Sequence, residues 1–285
     1  MSNIVDKIDE LYENHTHAEV EKFMLDTRDE LMKDEDANAP DIIAVCNELG
    51  ALYREESRFS ESSYNFETAL RLTEKVRGTK MCEEYGVILF NDAGTYRYAG
   101  QFEKAQELYD AAYEILTALG KDDTYEFAGL LNNMSNNYQD LKQFDKAVQF
   151  SAAAYEIICK LSPGQTEEAI ALMNMATLLV RVGELDKAST NVRKAIDIYE
   201  SHNNRSGHYP NAVNLAAVID FKRGDYQAAL ENFERAAELI YDHFGANRDY
   251  AAAMANISAV YDKLGDHDKA AEYLKKSEEI KANLK

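Results

Sequence analysis

The sequence predicts an all-α solenoid built from antiparallel helix pairs, and three observations carry that expectation. One turn-flanking pattern returns along the chain: YREESRFSES, YRYAGQFEKA, LNNMSNNYQDLKQFDKA, LVRVGELDKA, DFKRGDYQAA and YDKLGDHDKA. The residue after each turn anchors its unit; the anchors are Phe59, Phe102, Phe144, Leu185, Tyr226 and His267, at spacings of 43, 42, 41, 41 and 41 residues. A fixed period in this range, with helical content, marks stacked supersecondary units. Composition agrees, because three prolines, thirteen glycines and 46% hydrophobic residues suit helices joined by short turns.

The columns around the anchors justify each pair. Three residues after them stand Ser62, Ala105, Ala147, Ala188, Ala229 and Ala270, and ten after stand Ala69, Ala112, Ala154, Ala195, Ala236 and Ser277. Nine before come Gly50, Ala93, Ser135, Ala176, Ala217 and Ser258; six before come Tyr53, Tyr96, Tyr138 and Tyr261, with Leu179 and Asp220 in the other two units. Small residues on both helices let the axes approach closely, and an aromatic ring fills the wedge beside them.

In chain order, residues 1–36 read as an N-terminal helical cap, a degenerate repeat of two short helices. Ile4, Val5, Ile8, Leu11 and Tyr12 form one stripe and Val20, Phe23, Met24 and Leu31 a second. The break at Asn14–His17 puts His17 42 residues before Phe59, in register with the anchors. The polar, breaker-rich stretch from Asp34 to Pro40 predicts a boundary. Six pairs then follow as one continuous domain over 41–285, at about 41–77, 80–118, 123–160, 166–201, 209–243 and 248–284, for about 14 helices in all. Stop signals lie at Arg77-Gly78, Leu119–Asp122, Ser162-Pro163-Gly164, Asn203–Gly207 and Gly245–Asn247, and Asp122, Thr166 and Asn247 are candidate helix starts.

These columns resemble the tetratricopeptide repeat, whose small, aromatic and turn-flanking positions match in all six units. The usual unit has 34 residues. The longer units here, and stretches such as HFGANRDYAAAMANISAVYDKLGDHDKA, are similar to the long repeats of kinesin light chain. The resemblance covers about Asp41 to the C-terminus. It implies a right-handed superhelix with the first helix of each pair lining the concave side.

On that face every unit offers an asparagine. Eleven residues before the anchors are Asn91, Asn133, Asn174 and Asn256; one position earlier are Asn47, Asn132 and Asn214, and Asn136 lies on the same face. A carboxamide both donates and accepts, so a row of them suits the backbone of an extended peptide, which is what the resemblance to kinesin light chain implies. Asparagine at this position can equally bond to the neighbouring unit. Four and five residues before the anchors stand Arg54, Arg97, Arg181, Lys222 and Lys263 against Glu55, Asp140 and Asp262, a net of +2 in a chain of net −20. A face less acidic than the body predicts a carboxylate-bearing or acidic peptide. Asn91, Asn133, Arg97 and Arg54 are similar in kind to the two-carboxylate clamp of co-chaperone repeats, although that motif does not match residue by residue.

Other function classes find little support. The strong acidity argues against nucleic acid and anionic membrane as partners, since phosphate binding needs a basic face. No run of 18 apolar residues exists and MSNIVDKIDELYEN is no basic-plus-apolar leader, which predicts a cytoplasmic chain. Cys46, Cys82 and Cys159 have no ligand spacing and read as reduced thiols. His15 and His17 alone fall short of a metal set. No phosphate-binding loop, dinucleotide fingerprint, zinc-protease motif or nucleophile elbow occurs. The expected function is therefore a non-enzymatic adaptor without cofactor, binding a protein or peptide in the groove. Two alternatives remain: a scaffold subunit that self-associates through its end repeats, with Tyr273, Leu274 and Ile280 on the last helix, or a sensor of a small signalling peptide.

Overall fold

The computed structural model describes residues 3–202 and 208–284. Fourteen α-helices run through the described residues: α1 (Asn3–Asn14), α2 (His17–Leu31), α3 (Glu35–Glu55), α4 (Phe59–Arg77), α5 (Glu83–Tyr98), α6 (Phe102–Ala118), α7 (Tyr125–Asp140), α8 (Phe144–Leu161), α9 (Thr166–Val182), α10 (Leu185–Ser201), α11 (His208–Arg223), α12 (Tyr226–Phe244), α13 (Arg248–Leu264) and α14 (His267–Asn283). Every anchor is the first residue of a second helix, and His17 opens α2 in the same way. Two compact units divide the chain, the first ending at Phe150 and the second starting at Ser151. The predicted join at Asn203–Gly207 lies outside the described residues.

In the first unit the cap is a packed element. Ile8, Val20 and Met24 are fully buried against Val45, Leu49, Leu52 and Tyr53 of α3. Thr16 accepts from the Glu19 N–H while the Glu19 carboxylate accepts from the Thr16 N–H, a reciprocal cap that stabilises such a helix start by about 1 kcal/mol. The sequence-based boundary at Asp34–Pro40 is not a break. Helix α3 starts at Glu35 and carries Pro40 inside it. Asp34 caps the helix by accepting from the Ala37 N–H. Pro40 removes the donor to the Asp36 carbonyl, but Asp36 is exposed in the first turn, where water can serve instead. Arg71 and Lys75 of α4 pin the same turn through Glu35, whose carboxyl their hydrogen bonds hold down at about 2.

The small columns are buried and bring the paired helices together. Ser62, Ala105 and Ala147 have no exposure, nor have Ala69 and Ala112. Where the column holds serine, its hydroxyl satisfies a carbonyl across the pair: Ser62 donates to the Gly50 carbonyl at 2.7 Å and Ser135 to that of Ala147 at 2.8 Å. At Gly50 a Cβ would lie 2.7 Å from the ring of fully buried Phe66, so glycine sets this approach. Helices α3 to α5 share the core of Ile42, Ile43, Cys46, Phe66, Leu72 and Ile88.

The second unit repeats the plan. Ala169, Leu172, Ala195, Tyr199, Ala212 and Val213 form one core cluster, and Ala229, Phe233, Met254, Ile257 and Val260 another. Ser258 donates to the Ala270 carbonyl at 2.7 Å, as Ser135 does in its own pair. Asn247 caps α13 as expected, accepting from the Tyr250 N–H at 2.9 Å, whereas Thr166 is the first helical residue rather than the cap. In the first unit the cap of α7 is Thr124, not Asp122.

Candidate functional site

The first helices α3, α5 and α7 of the first unit carry the predicted face, and the structure brings part of it together. A cavity of about 470 Å³ is lined by Arg54, Glu55, Ser57, Phe90, Asn91, Gly94, Tyr98 and Asn133. Arg54 spends one N–H on the Asn91 main-chain carbonyl at 3.0 Å. No carboxylate pairs with its guanidinium among the described residues. Gly94 makes room for it, since a Cβ there would stand 3.1 Å from the Arg54 Nη1. Asn91 donates to Asn47 Oδ1 at 3.0 Å, and Asn47 donates in turn to Glu48 at 3.3 Å. Burial raises the Glu48 carboxyl above its ordinary value. Asn133 faces the cavity with no hydrogen-bond partner among the described residues. Phe90 and the exposed ring of Tyr98 supply apolar walls.

Other predicted residues are placed differently. Arg97 donates from Nε to Asp140 at 2.8 Å, so its charge is already matched. Asn136 accepts from Gln139 at 3.2 Å, and Asn132 is half-buried on α7. In the second unit Asn256 donates to Asn214 at 3.5 Å, the same ladder contact that joins Asn91 to Asn47. Asn174, Arg181, Lys222 and Lys263 are exposed, without hydrogen-bond or ion-pair partners among the described residues. Of the three apolar residues expected at the end surface, Tyr273 and Ile280 pack inward on the α12–α13 core, and only Leu274 is largely exposed, at 48%.

A tetratricopeptide repeat model matches residues 41–118, 126–201 and 210–283, which together are most of the chain. The chain belongs to the tetratricopeptide repeat family. Solved structures agree on the fold. It is similar to BtubC (BKLC) from P. vanneervenii, at 20% identity and a TM-score of 0.63 over 86% of this chain and 91% of that one. It is similar to the apo form of RapI at 16% identity and a TM-score of 0.69, covering 98% and 96% of the two chains. A signal transduction ATPase with a tetratricopeptide repeat sensor from Pyrococcus horikoshii matches at 15% identity and a TM-score of 0.67, over 86% of this chain and 36% of the other. Among curated proteins none matches the sequence.

A tetratricopeptide array is a protein-interaction scaffold that presents helix faces to protein or peptide partners. The array here has no helix long and apolar enough to cross a membrane among the described residues. No group of three or more His, Cys, Asp or Glu side chains there could hold a metal ion. Sequence reasoning missed Phe90, Gly94 and Ser57 as lining residues. Gly94 had a legible signal, being a glycine in mid-helix on the same face as Asn91.

Proposed function

We propose that this chain is a non-enzymatic, cytoplasmic adaptor whose first unit holds an extended peptide of a partner by its backbone and by one carboxylate. The observation that carries this reading is Arg54: a guanidinium lacking an acidic partner among the described residues, set in a 470 Å³ cavity beside Asn91 and Asn133. The guanidinium keeps donors to spare and fits a carboxylate through two parallel bonds. Asn133 offers an amide that can meet a peptide N–H and C=O together, while Asn91 keeps its oxygen free for a peptide N–H. Phe90 and Tyr98 would cover the apolar side chain next to the carboxylate. A small signalling peptide would use the same cavity, and the likeness to an array that serves as a sensor is compatible with it.

The test is a selection of random ten-residue peptides with free C-termini on the immobilised chain, followed by titration of the best binder. Replacing its carboxylates by amides, or Arg54→Ala in the protein, should each weaken binding by about tenfold or more. Circular dichroism would confirm that the variant keeps its helices. Selected peptides that bind the Arg54→Ala and Asn133→Ala variants as tightly as wild type would overturn the assignment.

A further inference from the structure

The second unit contains a different cavity, about 450 Å³, among α12, α13 and α14. Its floor is apolar, made by Ala237, Met254 and Ile257, and its walls carry the rings of Tyr241, Tyr250 and Tyr273. Tyr241 and Tyr250 lie with their centroids 5.0 Å apart. Along α12, one helical turn apart, stand Glu234, Glu238 and Asp242, all lining the cavity. Glu234 accepts from the Tyr261 hydroxyl at 3.5 Å, but Glu238 and Asp242 have no hydrogen-bond or ion-pair partner among the described residues. The cation that reaches the cavity from the protein itself is Lys276, whose Nζ stands 5.7 Å from the centre of the Tyr250 ring.

The repeat register shows what this cavity lacks. Nine residues after their anchors stand Lys194, Arg235 and Lys276; seventeen before stand Glu168, Tyr209 and Tyr250. In each of these pairs the cation meets the residue in the second column. Lys194 reaches Glu168 at 2.5 Å. Arg235 lies with its guanidinium carbon 5.6 Å from the Tyr209 ring centre and donates to Glu200 at 2.6 Å. That second case is an internal arginine site: a guanidinium against a tyrosine with a carboxylate alongside. One unit later the position of Glu200 is taken by Tyr241. Lys276 therefore has no acid in the corresponding place, and the acids nearby, Glu238 and Asp242, have no cation.

We infer that the cavity among α12, α13 and α14 binds an arginine side chain of a partner protein, stacked on Tyr250 and Tyr241 and paired with Glu238 and Asp242. A planar guanidinium is recognised by both elements at once, by ring faces and by bidentate carboxylate contact. An ammonium stack of this kind already exists in Lys276, which an incoming arginine would displace toward solvent. The net charge of −20 draws basic partners to the molecule, and two free acids beside aromatic rings give them a specific stopping place. This site shares no residue with the cavity of the first unit and does not depend on it.

The experiment is a titration with the blocked tripeptide Gly-Arg-Gly and its citrulline counterpart, which has the same shape without the charge. Binding is read from the amide resonances of α12, α13 and α14 at low ionic strength. The arginine peptide should give saturable shifts centred on Tyr241, Tyr250 and Lys276. The citrulline peptide, and the Glu238→Gln/Asp242→Asn variant with the arginine peptide, should each bind about tenfold more weakly. Lys276→Gln should strengthen binding by about two- to threefold, since it removes the competing cation. Equal binding of the citrulline peptide, unchanged binding by the double variant, or shifts confined to other helices would each overturn the inference. The substituted residues are on the cavity wall, and unchanged resonances elsewhere would show that the variants remain folded.

Discussion

Asp92 on α5 of the first unit and Glu168 on α9 of the second are buried to a similar degree, 3% and 2% exposed, yet their surroundings act on them in opposite directions. Asp92 stands ten residues before its anchor, where the other units place Leu49, Met134, Met175, Ala216 and Ile257. Its one hydrogen bond comes from the Ser63 hydroxyl at 3.0 Å. Burial dominates, Glu67 adds repulsion, and the field of Lys104 does not offset them; the carboxyl is pushed up from 3.8 to about 7. Glu168 is surrounded by donors: Lys194 at 2.5 Å, the Gly164 N–H at 2.6 Å, Tyr155 at 3.2 Å and the Cys159 thiol at 3.5 Å. Burial pushes its carboxyl up too, but the bonds from Lys194 and Gly164 outweigh it and leave the group below its ordinary value. The lesson is that burial alone does not fix a charge; the number of donors does.

The largest effect should come from Glu168. Its carboxylate ties α9 to Tyr155 and Cys159 of α8, to the Gly164 N–H of the turn and to Lys194 of α10, while His202 contacts the Gly164 carbonyl at 2.7 Å and closes the Ser162-Pro163-Gly164 turn from the other side. Glu168→Ala leaves the Gly164 N–H and Tyr155 without their acceptor, at a cost on the order of 3 kcal/mol. Hydrogen exchange at the amides of α9 and α10 is the suitable readout, because a repeat array need not unfold as one unit. Protection that stays at the wild-type level there would show the network to be ornamental.

Asp92 should give a smaller change of opposite sign. Its folded pKa lies above the unfolded one, so the native state binds its proton more tightly. Between about pH 4 and pH 7 the stability of the first unit therefore falls as pH rises, with the full penalty present above pH 7. Asp92→Asn should remove that slope, gaining on the order of 2 kcal/mol at pH 8, about half of the roughly 4 kcal/mol that such a shift represents because the buried amide keeps a desolvation cost of its own, and close to nothing at pH 4. Glu168 follows the reverse rule: its contribution is present above the ordinary glutamate pKa and is lost as pH falls through the lowered one. Denaturation midpoints of wild type and Asp92→Asn at both pH values decide the matter, and a pH-independent difference would break the contrast.

The two carboxylates also mark how far the sequence could be read. All six anchors open second helices, and the small columns are buried, because close helix approach needs the same small side chains in every unit. Column reading failed where a contact joins two different columns. Arg97 falls in the column of groove cations, but Asp140, in the neighbouring column one unit later, neutralises it. The Asn47–Asn91 and Asn214–Asn256 bonds show the asparagine row partly satisfying itself. Arg54 has no acidic partner among the described residues, and Gly94 leaves the space its guanidinium occupies. The pairing of Lys194 with Glu168, and of Arg235 with Tyr209, repeats at one register, so it was legible in principle once both helices of adjacent units were aligned. Asp92 was legible as well, as the one carboxylate in an otherwise apolar column.

Backbone turns give the gentlest form of the same comparison. Two residues before the anchors the chain takes a left-handed conformation, with φ of 85°, 84° and 83° at Gly183, Gly224 and Gly265 of the second unit. The first unit has Gly100 there but also Ser57 and Lys142, both at φ 60°. A side chain in that region costs roughly 1–2 kcal/mol, against which glycine loses about 0.5–1 kcal/mol of unfolded-chain entropy. Lys142 is exposed, and Lys142→Gly should therefore stabilise the turn between α7 and α8 by about 0.5 kcal/mol. Gly183→Ala in the second unit should destabilise by a similar or somewhat larger amount. Both changes are small enough to require paired denaturant titrations of each variant with wild type. A loss on Lys142→Gly would mean that the Gln139 carbonyl, which accepts from the Lys142 N–H at 3.1 Å, and the flanking helices hold the turn so firmly that the left-handed lysine carries no strain for glycine to relieve.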